Sequence, residues 1–150
     1  MIKIKTIILF LFLSACGYQL ASNVENSDIY IADYNLNGDK FVNRLVGKNF
    51  SRNKNVTIKN KFNVNTFSEV VKTVNSKNKA GENVSLMVTV SIKFEILKND
   101  DLIKVIELKD SNTYTSSQNK FEQKQYEQVL IENMVENILV TFYQNLIEIE

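Results

Sequence analysis

Positions 84–97 alternate strictly between apolar and mostly polar residues, and this pattern limits the possible folds more than any other feature. The even positions are all apolar: Val84, Leu86, Val88, Val90, Ile92, Phe94 and Ile96. The odd positions are mostly serine, threonine, lysine and glutamate. A period of two predicts a long β-strand with one buried face, whose other face meets solvent or a partner.

Further strands are predicted on both sides of this one. Residues 98–101 are turn formers and residues 102–115 return as an antiparallel partner, so the two strands form a long hairpin. Upstream, residues 27–34 and 56–64 also have strand composition. The second of these strands continues toward residues 70–74 after a phase slip, which we attribute to a bulge.

Two helices are predicted as well. Turn formers over residues 35–39 end the first strand, and Asp39 caps a helix that continues through Phe50. Near the C-terminus, Asn119 opens a second helix, with Glu122 as its capping-box partner.

The C-terminal helix carries an apolar stripe that is wider than one sheet contact requires. Its members are Leu130, Ile131, Met134, Val135, Ile138, Leu139, Phe142 and Leu146. Val129, Val140 and Tyr143 widen it further. Deep burial of a terminal helix would explain the width, and so would a partner surface.

The element order is therefore β-α-β-β-β-α, with a polar loop over residues 75–82 before the long strand. We expect an α+β fold, a two-layer sandwich with two helices on one face of a four-stranded, mostly antiparallel sheet. Residues 27–150 would form a single domain.

The N-terminus has the features of a secretory signal peptide. Lys3 and Lys5 precede a charge-free apolar run that ends in small residues at positions 14 and 15. This run is about half the ~20 residues that a membrane-spanning helix needs. Leu13-Ser14-Ala15-Cys16 resembles the lipobox of bacterial lipoproteins. We therefore expect residues 1–15 to be a signal peptide and residues 16–26 to be a lipidated N-terminal segment.

Cys16 is the predicted lipidation site. Its thiol would take a diacylglycerol group, and cleavage before it would free an amine for a third acyl chain; more than one chain gives stable anchoring. The alternative is a lone buried cysteine that packs as a small apolar residue. The residue after Cys16 is Gly17, whereas an aspartate at this position would resemble an inner-membrane retention signal. This difference favours the outer membrane of a Gram-negative cell.

Composition excludes some functions of the mature chain. Cleavage leaves 150 − 15 = 135 residues, with 18 − 2 = 16 basic against 17 acidic side chains. A net charge near −1 argues against a nucleic-acid partner. The chain has no histidine, which is the commonest general base and a common metal ligand. We expect no enzyme activity, no cofactor and no metal site. Asp100 and Asp101 fit a hairpin turn.

The mature chain resembles the LPS-assembly lipoprotein LptE family. The resemblance begins with Cys16-Gly17-Tyr18-Gln19-Leu20 and continues through the polar loop at 75–83 into the strand at 84–90. It ends with residues 112–114 and 116–117, which lead into the amphipathic C-terminal helix. Members of this family share the same order of elements, with two helices on a four-stranded sheet.

The resemblance implies a non-enzymatic role at the outer membrane. An LptE-like protein plugs the LptD β-barrel in a one-to-one complex, helps it assemble, and binds lipopolysaccharide during transport. It would be lipid-anchored and face the periplasm or the barrel lumen. Lipopolysaccharide carries phosphates, so Lys77, Lys79 and Lys120 are the candidate contacts. For each of these lysines an ordinary solubilising role is the alternative.

Two other functions remain open from the sequence. One is a small outer-membrane lipoprotein that scaffolds an unrelated envelope complex. The other is a periplasmic lipid-binding lipoprotein with a cavity between sheet and helices, because periodicity does not distinguish a filled core from a hollow one.

Overall fold

The computed structural model describes residues 29–52 and 60–149. The elements in chain order are β1 (Ile29–Gly38), α1 (Lys40–Arg52), β2 (Asn60–Lys77), β3 (Asn83–Lys98), β4 (Asp101–Thr115) and α2 (Lys120–Ile147). This order confirms the predicted β-α-β-β-β-α sequence. The predicted signal peptide and lipidated segment, including Cys16, lie outside the described residues, as does the predicted start of the second strand at 56–59.

The four strands form one sheet in the order β1-β2-β3-β4. β2 pairs with β3 and β3 with β4 in antiparallel fashion, whereas β1 and β2 are parallel. The difference follows from the connections. Short turns join antiparallel neighbours, but parallel neighbours need a crossover, and α1 lies within the connection from β1 to β2. The mostly antiparallel, two-layer α+β fold is thus confirmed.

Both helices pack on the sheet face that carries the even positions of β3. Phe94 from β3 stacks on Phe142 from α2 with 4.2 Å between ring centroids. Phe50 from α1 lies 5.9 Å from Phe142, so one aromatic group joins the sheet to both helices. These rings and Phe62 are at most 1% exposed. Burial of each such side chain contributes roughly 1.5–3 kcal/mol.

The predicted stripe of α2 is buried at all eight positions, and Tyr143 is buried beside it. Tyr143 donates a hydrogen bond to Asn49 Oδ1 on α1 at 2.9 Å, which joins the two helices. Val129 and Val140 are exposed instead. Burial of the terminal helix therefore explains most of the width of the stripe. Neither α1 nor α2, the helices of the described ranges, combines the length and apolar character needed to cross a bilayer.

The hairpin between β3 and β4 has the predicted turn. Asn99 and Asp100 both have positive φ, at 53° and 68°, as the central residues of a type I′ turn do. The register changes directly after it, since Leu97 pairs with Leu102 while Ile96 pairs with Lys104. Ile103 is therefore the extra residue of a β-bulge.

The predicted turn over residues 35–39 was wrong, because β1 continues to Gly38. Asn35 and Asn37 pair with residues of β2, and their exposed side chains satisfy strand alternation on the solvent face. The chain turns only at Gly38. Its φ of 104° is unfavourable for other residues, and an added Cβ would lie 1.9 Å from the carbonyl oxygen of Ser68.

The predicted phase slip in β2 was also wrong. Pairing with β3 is continuous from Asn63 to Val74. Thr66 and Ser68 occupy inward positions where apolar residues were expected. The Thr66 hydroxyl donates to the backbone oxygen of Asn35 on β1 at 3.4 Å. The Ser68 hydroxyl donates to Asn43 Oδ1 on α1 at 2.8 Å and also lies 3.2 Å from Asn37 O on β1. Because these bonds satisfy the buried hydroxyls, the strand keeps its register.

The polar loop before β3 is shorter than predicted, because residues 75–77 belong to β2. The irregular pairing in this strand falls here, between Val74 and Lys77. Asn78 then organises the loop, since its Oδ1 accepts hydrogen bonds from the backbone N–H groups of Ala80 and Glu82, both at 2.9 Å.

Asp39 caps α1 as predicted, with Oδ1 accepting from the N–H groups of Phe41 and Val42 at 2.9 and 3.0 Å. Asn119 caps α2 by accepting from the N–H groups of Phe121 and Glu122. The predicted capping box was wrong. The backbone N–H of Asn119 donates to Ser117 Oγ at 3.1 Å, so another side chain satisfies the donor that Glu122 would have bound.

Candidate functional site

The three predicted lysines lie at one end of the sheet. Lys77 is the last residue of β2, Lys79 lies in the loop that follows, and Lys120 is the first residue of α2. The N–H of Ser116 donates to Val84 O at 2.8 Å, which holds the connection between β4 and α2 against the start of β3. We call residues 74–86 and 113–124 the loop end.

A cleft of about 530 Å³ separates the two connections of the loop end. Its lining residues are Asn78, Glu82, Asn83, Val84, Thr115, Ser116, Ser117, Gln118 and Lys120. Of the three predicted lysines, only Lys120 lines this cleft. Lys77 and Lys79 are exposed beside it, so the structure places them at the same end without joining them to Lys120.

A second open groove, of about 390 Å³, lies between the first turn of α1, β2 and the N-terminal half of α2. We call it the lysine groove, because Lys72, Lys120 and Lys124 line it. Phe41, Val70 and Ile131 give it an apolar surface. The acidic residues along the groove are Asp39 and Glu127, so its formal charge is 3 − 2 = +1.

An ion pair and a hydrogen bond organise one side of the lysine groove. Glu127 Oε1 pairs with the Lys72 ammonium, and Glu127 Oε2 accepts a hydrogen bond from the Tyr114 hydroxyl at 2.9 Å. Burial, reinforced by the hydrogen bond and the negative charge of Glu127, raises the pKa of Tyr114 to about 12. Glu127 thus neutralises Lys72, and Tyr114 remains a neutral donor at physiological pH.

Lys120 and Lys124 form no ion pair with other residues of the described ranges. They are four residues apart on α2, so they lie on the same face of its first two turns. The helix dipole also favours an anion near this end. The groove therefore offers two ammonium groups beside an apolar surface, which suits a ligand with phosphate groups and acyl chains.

Sequence reasoning missed Lys72 and Lys124. The spacing between Lys120 and Lys124 was a usable signal for Lys124. Lys72 occupies an inward position of β2, which the incorrect phase slip obscured.

The sheet face opposite the helices mixes charged and hydroxyl side chains with exposed apolar ones, among them Phe67, Val71 and Val105. Lys93 Nζ lies 2.7 Å from Glu95 Oε1, and Lys109 Nζ lies 2.8 Å from Glu107 Oε1. The hydrogen bond and charge of Lys109 lower the pKa of Glu107, and Glu107 raises the pKa of Lys109 in turn. Both pairs are accessible to solvent, and exposed pairs contribute little to stability. The charged part of this face is suited to contact with water or with a polar partner.

Within the described ranges, no three His, Cys, Asp or Glu side chains are grouped as metal ligands would be.

The sequence matches no protein-family model and no curated protein. Solved structures with the same architecture include rare lipoprotein B from Shewanella oneidensis, with a TM-score of 0.57 at 12% identity over 77% of this chain and 97% of that one. The chain has the fold of this lipoprotein.

Two further solved structures share this architecture. A minor lipoprotein from Acinetobacter baumannii gives a TM-score of 0.53 at 11% identity over 78% of this chain and 94% of that one. Uncharacterized lipoprotein B from Nitrosomonas europaea gives a TM-score of 0.55 at 11% identity over 85% of this chain and 88% of that one. At such low identity these likenesses establish the fold alone.

Proposed function

We propose that this protein is a lipid-anchored, non-enzymatic outer-membrane lipoprotein that plugs the LptD β-barrel, helps it assemble and assists lipopolysaccharide transport. One observation carries the proposal. A lipobox-like Leu13-Ser14-Ala15-Cys16 precedes a domain whose fold is found in solved lipoproteins. Acylation of Cys16 would hold this domain at the membrane, and Gly17 favours the outer membrane.

The polar part of the sheet face opposite the helices supports the barrel part of the proposal. The lumen of an outer-membrane barrel is itself polar and contains water. Lys93 and Glu95 project from this face together with hydroxyl side chains such as Thr89 and Ser111, which are 2.9 Å apart. Such a face can exchange water for lumenal polar groups without burying an unpaired charge.

The lysine groove supports the lipopolysaccharide part. Lys120 and Lys124 can bind phosphates as point charges. Phe41, Val70 and Ile131 give acyl chains an apolar surface. Glu127 keeps Lys72 neutralised, so an anion would meet the two lysines of α2 first.

Co-purification tests the partner. The mature protein is extracted from its native envelope in mild detergent and its partners are identified by mass spectrometry. The proposal predicts an outer-membrane β-barrel in a near one-to-one ratio. Recovery of a different envelope complex, without such a barrel, would contradict it and would favour the scaffold function.

Charge reversal tests the ligand. Lys120→Glu with Lys124→Glu should weaken binding of purified lipopolysaccharide at least tenfold, since charge-assisted contacts contribute about 1.5–3 kcal/mol and tenfold is 1.4 kcal/mol. Lys61→Glu with Lys104→Glu is the control, because it changes the net charge equally at the other end of the sheet. Lys77→Glu with Lys79→Glu tests the remaining predicted lysines. Equal affinities for all three proteins would exclude the groove.

The interior argues against a lipid cavity between sheet and helices. Phe50, Phe94 and Phe142 fill this space with ring contacts of 4.2–5.9 Å. A bound acyl chain would have to displace them. The lysine groove and the cleft lie outside this packed region, at the surface.

A further inference from the structure

The end of the sheet opposite the loop end exposes large apolar side chains. Leu102, Ile103 and Val105 are 58%, 42% and 47% exposed, and they follow one another closely at the start of β4. Strict alternation would place Leu102 and Val105 on opposite faces of the sheet. The bulge at Ile103 adds one residue between them, so both face away from the helices. We call residues 97–105 the hairpin tip. A compact apolar patch at an exposed tip is informative, whereas a single exposed leucine is not.

The chain enters the described domain at this same end. Ile29 pairs with Asn60, and three residues further along β2 Asn63 pairs with Leu97. Extending that register backwards brings Ile29 level with Asp100 in the turn of the hairpin tip. Three strand spacings separate β1 from β4, which is about 14 Å across the sheet. The described domain therefore begins beside the hairpin tip, at the first residue after the segment that contains Cys16.

The length of that segment limits where the membrane can be. Cys16 and Ile29 are 29 − 16 = 13 residues apart, so their separation is at most about 45 Å even at full extension. β2 has 18 residues, and its 17 steps of about 3.3 Å place Lys77 roughly 56 Å from Asn60. An acylated Cys16 can reach the hairpin tip easily, but it falls short of the far edge of the loop end.

We propose that the hairpin tip docks into the interfacial layer of the bilayer that holds the acyl chains of Cys16. This inference rests on the acylation contained in the proposed function. The side chains of Leu102, Ile103 and Val105 enter the boundary between headgroups and acyl chains, and the polar turn at Asn99 and Asp100 lies in the headgroup layer beside them. The lysine groove then lies at the distant end of the strands.

Apolar contact, and not charge, drives this docking. Among the described strand and turn residues at this end, three basic ones (Lys61, Lys98 and Lys104) are balanced by three acidic ones (Asp33, Asp100 and Asp101). A patch without net charge gains little from anionic lipids. Docking should therefore change less than twofold between 0.1 and 0.5 M salt, whereas a polybasic patch would be released.

A fluorescence experiment tests the docking directly. Acylated Cys16 has no free thiol, so an added cysteine can be labelled selectively with a polarity-sensitive dye. Ile103→Cys reports on the hairpin tip, and Thr113→Cys, an exposed position of β4 at the loop end, is the matched control. The full mature lipoprotein is placed in vesicles of phosphatidylethanolamine and phosphatidylglycerol. Brominated lipids should quench the dye at position 103 at least twofold more than at position 113.

Equal quenching at the two positions would overturn the proposal. A second variant, with the dye at another position, controls for local effects of the label. With the dye moved to Asn99→Cys, the change of Leu102, Ile103 and Val105 to serine should abolish quenching, while circular dichroism remains unchanged because these side chains are exposed. Quenching that survives this change would also overturn the docking.

The outcomes separate this inference from the proposed function. Mass spectrometry that finds Cys16 unmodified overturns both. An acylated protein whose hairpin tip stays in water overturns the docking alone. The vesicles contain no barrel and no lipopolysaccharide, so the partner assignments do not affect the result.

Discussion

The two halves of β2 follow the same alternation but have different surroundings. From Phe62 to Ser68, the inward residues are buried beneath the two helices. From Val70 onward the helices cover this face less completely: Val70 is half-buried, and Lys72 and Val74 are exposed although their side chains lie on the same face. Alternation thus determines which face a residue occupies, while the reach of the helices determines whether that face becomes core or groove. The covered half provides stability, and the loop end provides the candidate binding surface.

The largest expected effect on the free energy of unfolding distinguishes a buried core position from an exposed one at the loop end. Phe94→Ala removes a fully buried ring that stacks on Phe142, and it should lower the free energy of unfolding by about 3–5 kcal/mol. Val74→Ala, at an exposed inward position of the loop end, should change it by less than about 0.5 kcal/mol. Urea denaturation of the mature protein measures both. Similar losses would mean that the loop end is also core.

A second pair of changes compares two glycines with positive φ. Gly38→Ala should cost about 2–4 kcal/mol, because the new Cβ meets the carbonyl oxygen of Ser68 in addition to adopting an unfavourable φ. At Gly81 in the loop the φ is 83°, but nothing lies within 4 Å of an added Cβ, so alanine there should cost only about 1–2 kcal/mol. Equal costs in thermal unfolding would show that the close approach of β1 to β2 is absent.

A third pair compares two serine hydroxyls on β2. Ser68→Ala removes the donor to Asn43 Oδ1, a bond of 2.8 Å, and leaves that partly buried acceptor without it. The expected cost is about 1–2 kcal/mol. Ser76 shares an exposed hydrogen bond with Ser85, so Ser76→Ala should change stability by less than about 0.5 kcal/mol. If Ser68→Ala were neutral, the hydroxyl would not explain the continuous register of β2.

The smallest effect concerns alkaline pH. The raised pKa of Tyr114, about 12 against an ordinary value near 10, means that the folded state holds the phenolic proton more tightly than the unfolded state. This contribution is complete below pH 10 and is lost as the pH rises toward 12. Tyr114→Phe should therefore reduce the loss of stability between pH 10 and 12 by about 1–2 kcal/mol. Tyr126→Phe, at an exposed neighbouring ring, is the control. The same pH profile in all three proteins would contradict the assigned cause.

Much of the fold follows from local sequence signals. The alternation in β3, the turn at Asn99 and Asp100, and the caps Asp39 and Asn119 act through residues close in the chain. The errors in β1 and β2 arose because Asn37, Thr66 and Ser68 are satisfied by partners about 30 residues away. Side chains that suit a turn in isolation can occupy a strand when the neighbouring strand supplies their bonds.

The candidate site was less predictable for the same reason. Lys120 could be predicted as a candidate contact because it lies at the start of an amphipathic helix. Lys72 lines the lysine groove because β2 passes beside the N-terminal half of α2, and Glu127 pairs with it from 55 residues further along the chain. The lysine groove is built from residues of α1, β2 and α2 that are far apart in the chain, so no single sequence pattern identifies them.

Photo-crosslinking in the native envelope tests the central claim that the loop end contacts lipopolysaccharide while the opposite end does not. A photoreactive amino acid replaces Gln118, in the cleft beside Lys120, or Lys61 at the other end of β2. Irradiation should produce a lipopolysaccharide adduct from position 118 and none from position 61. Adducts from both positions, or from position 61 alone, would contradict the assignment of the loop end as the binding surface.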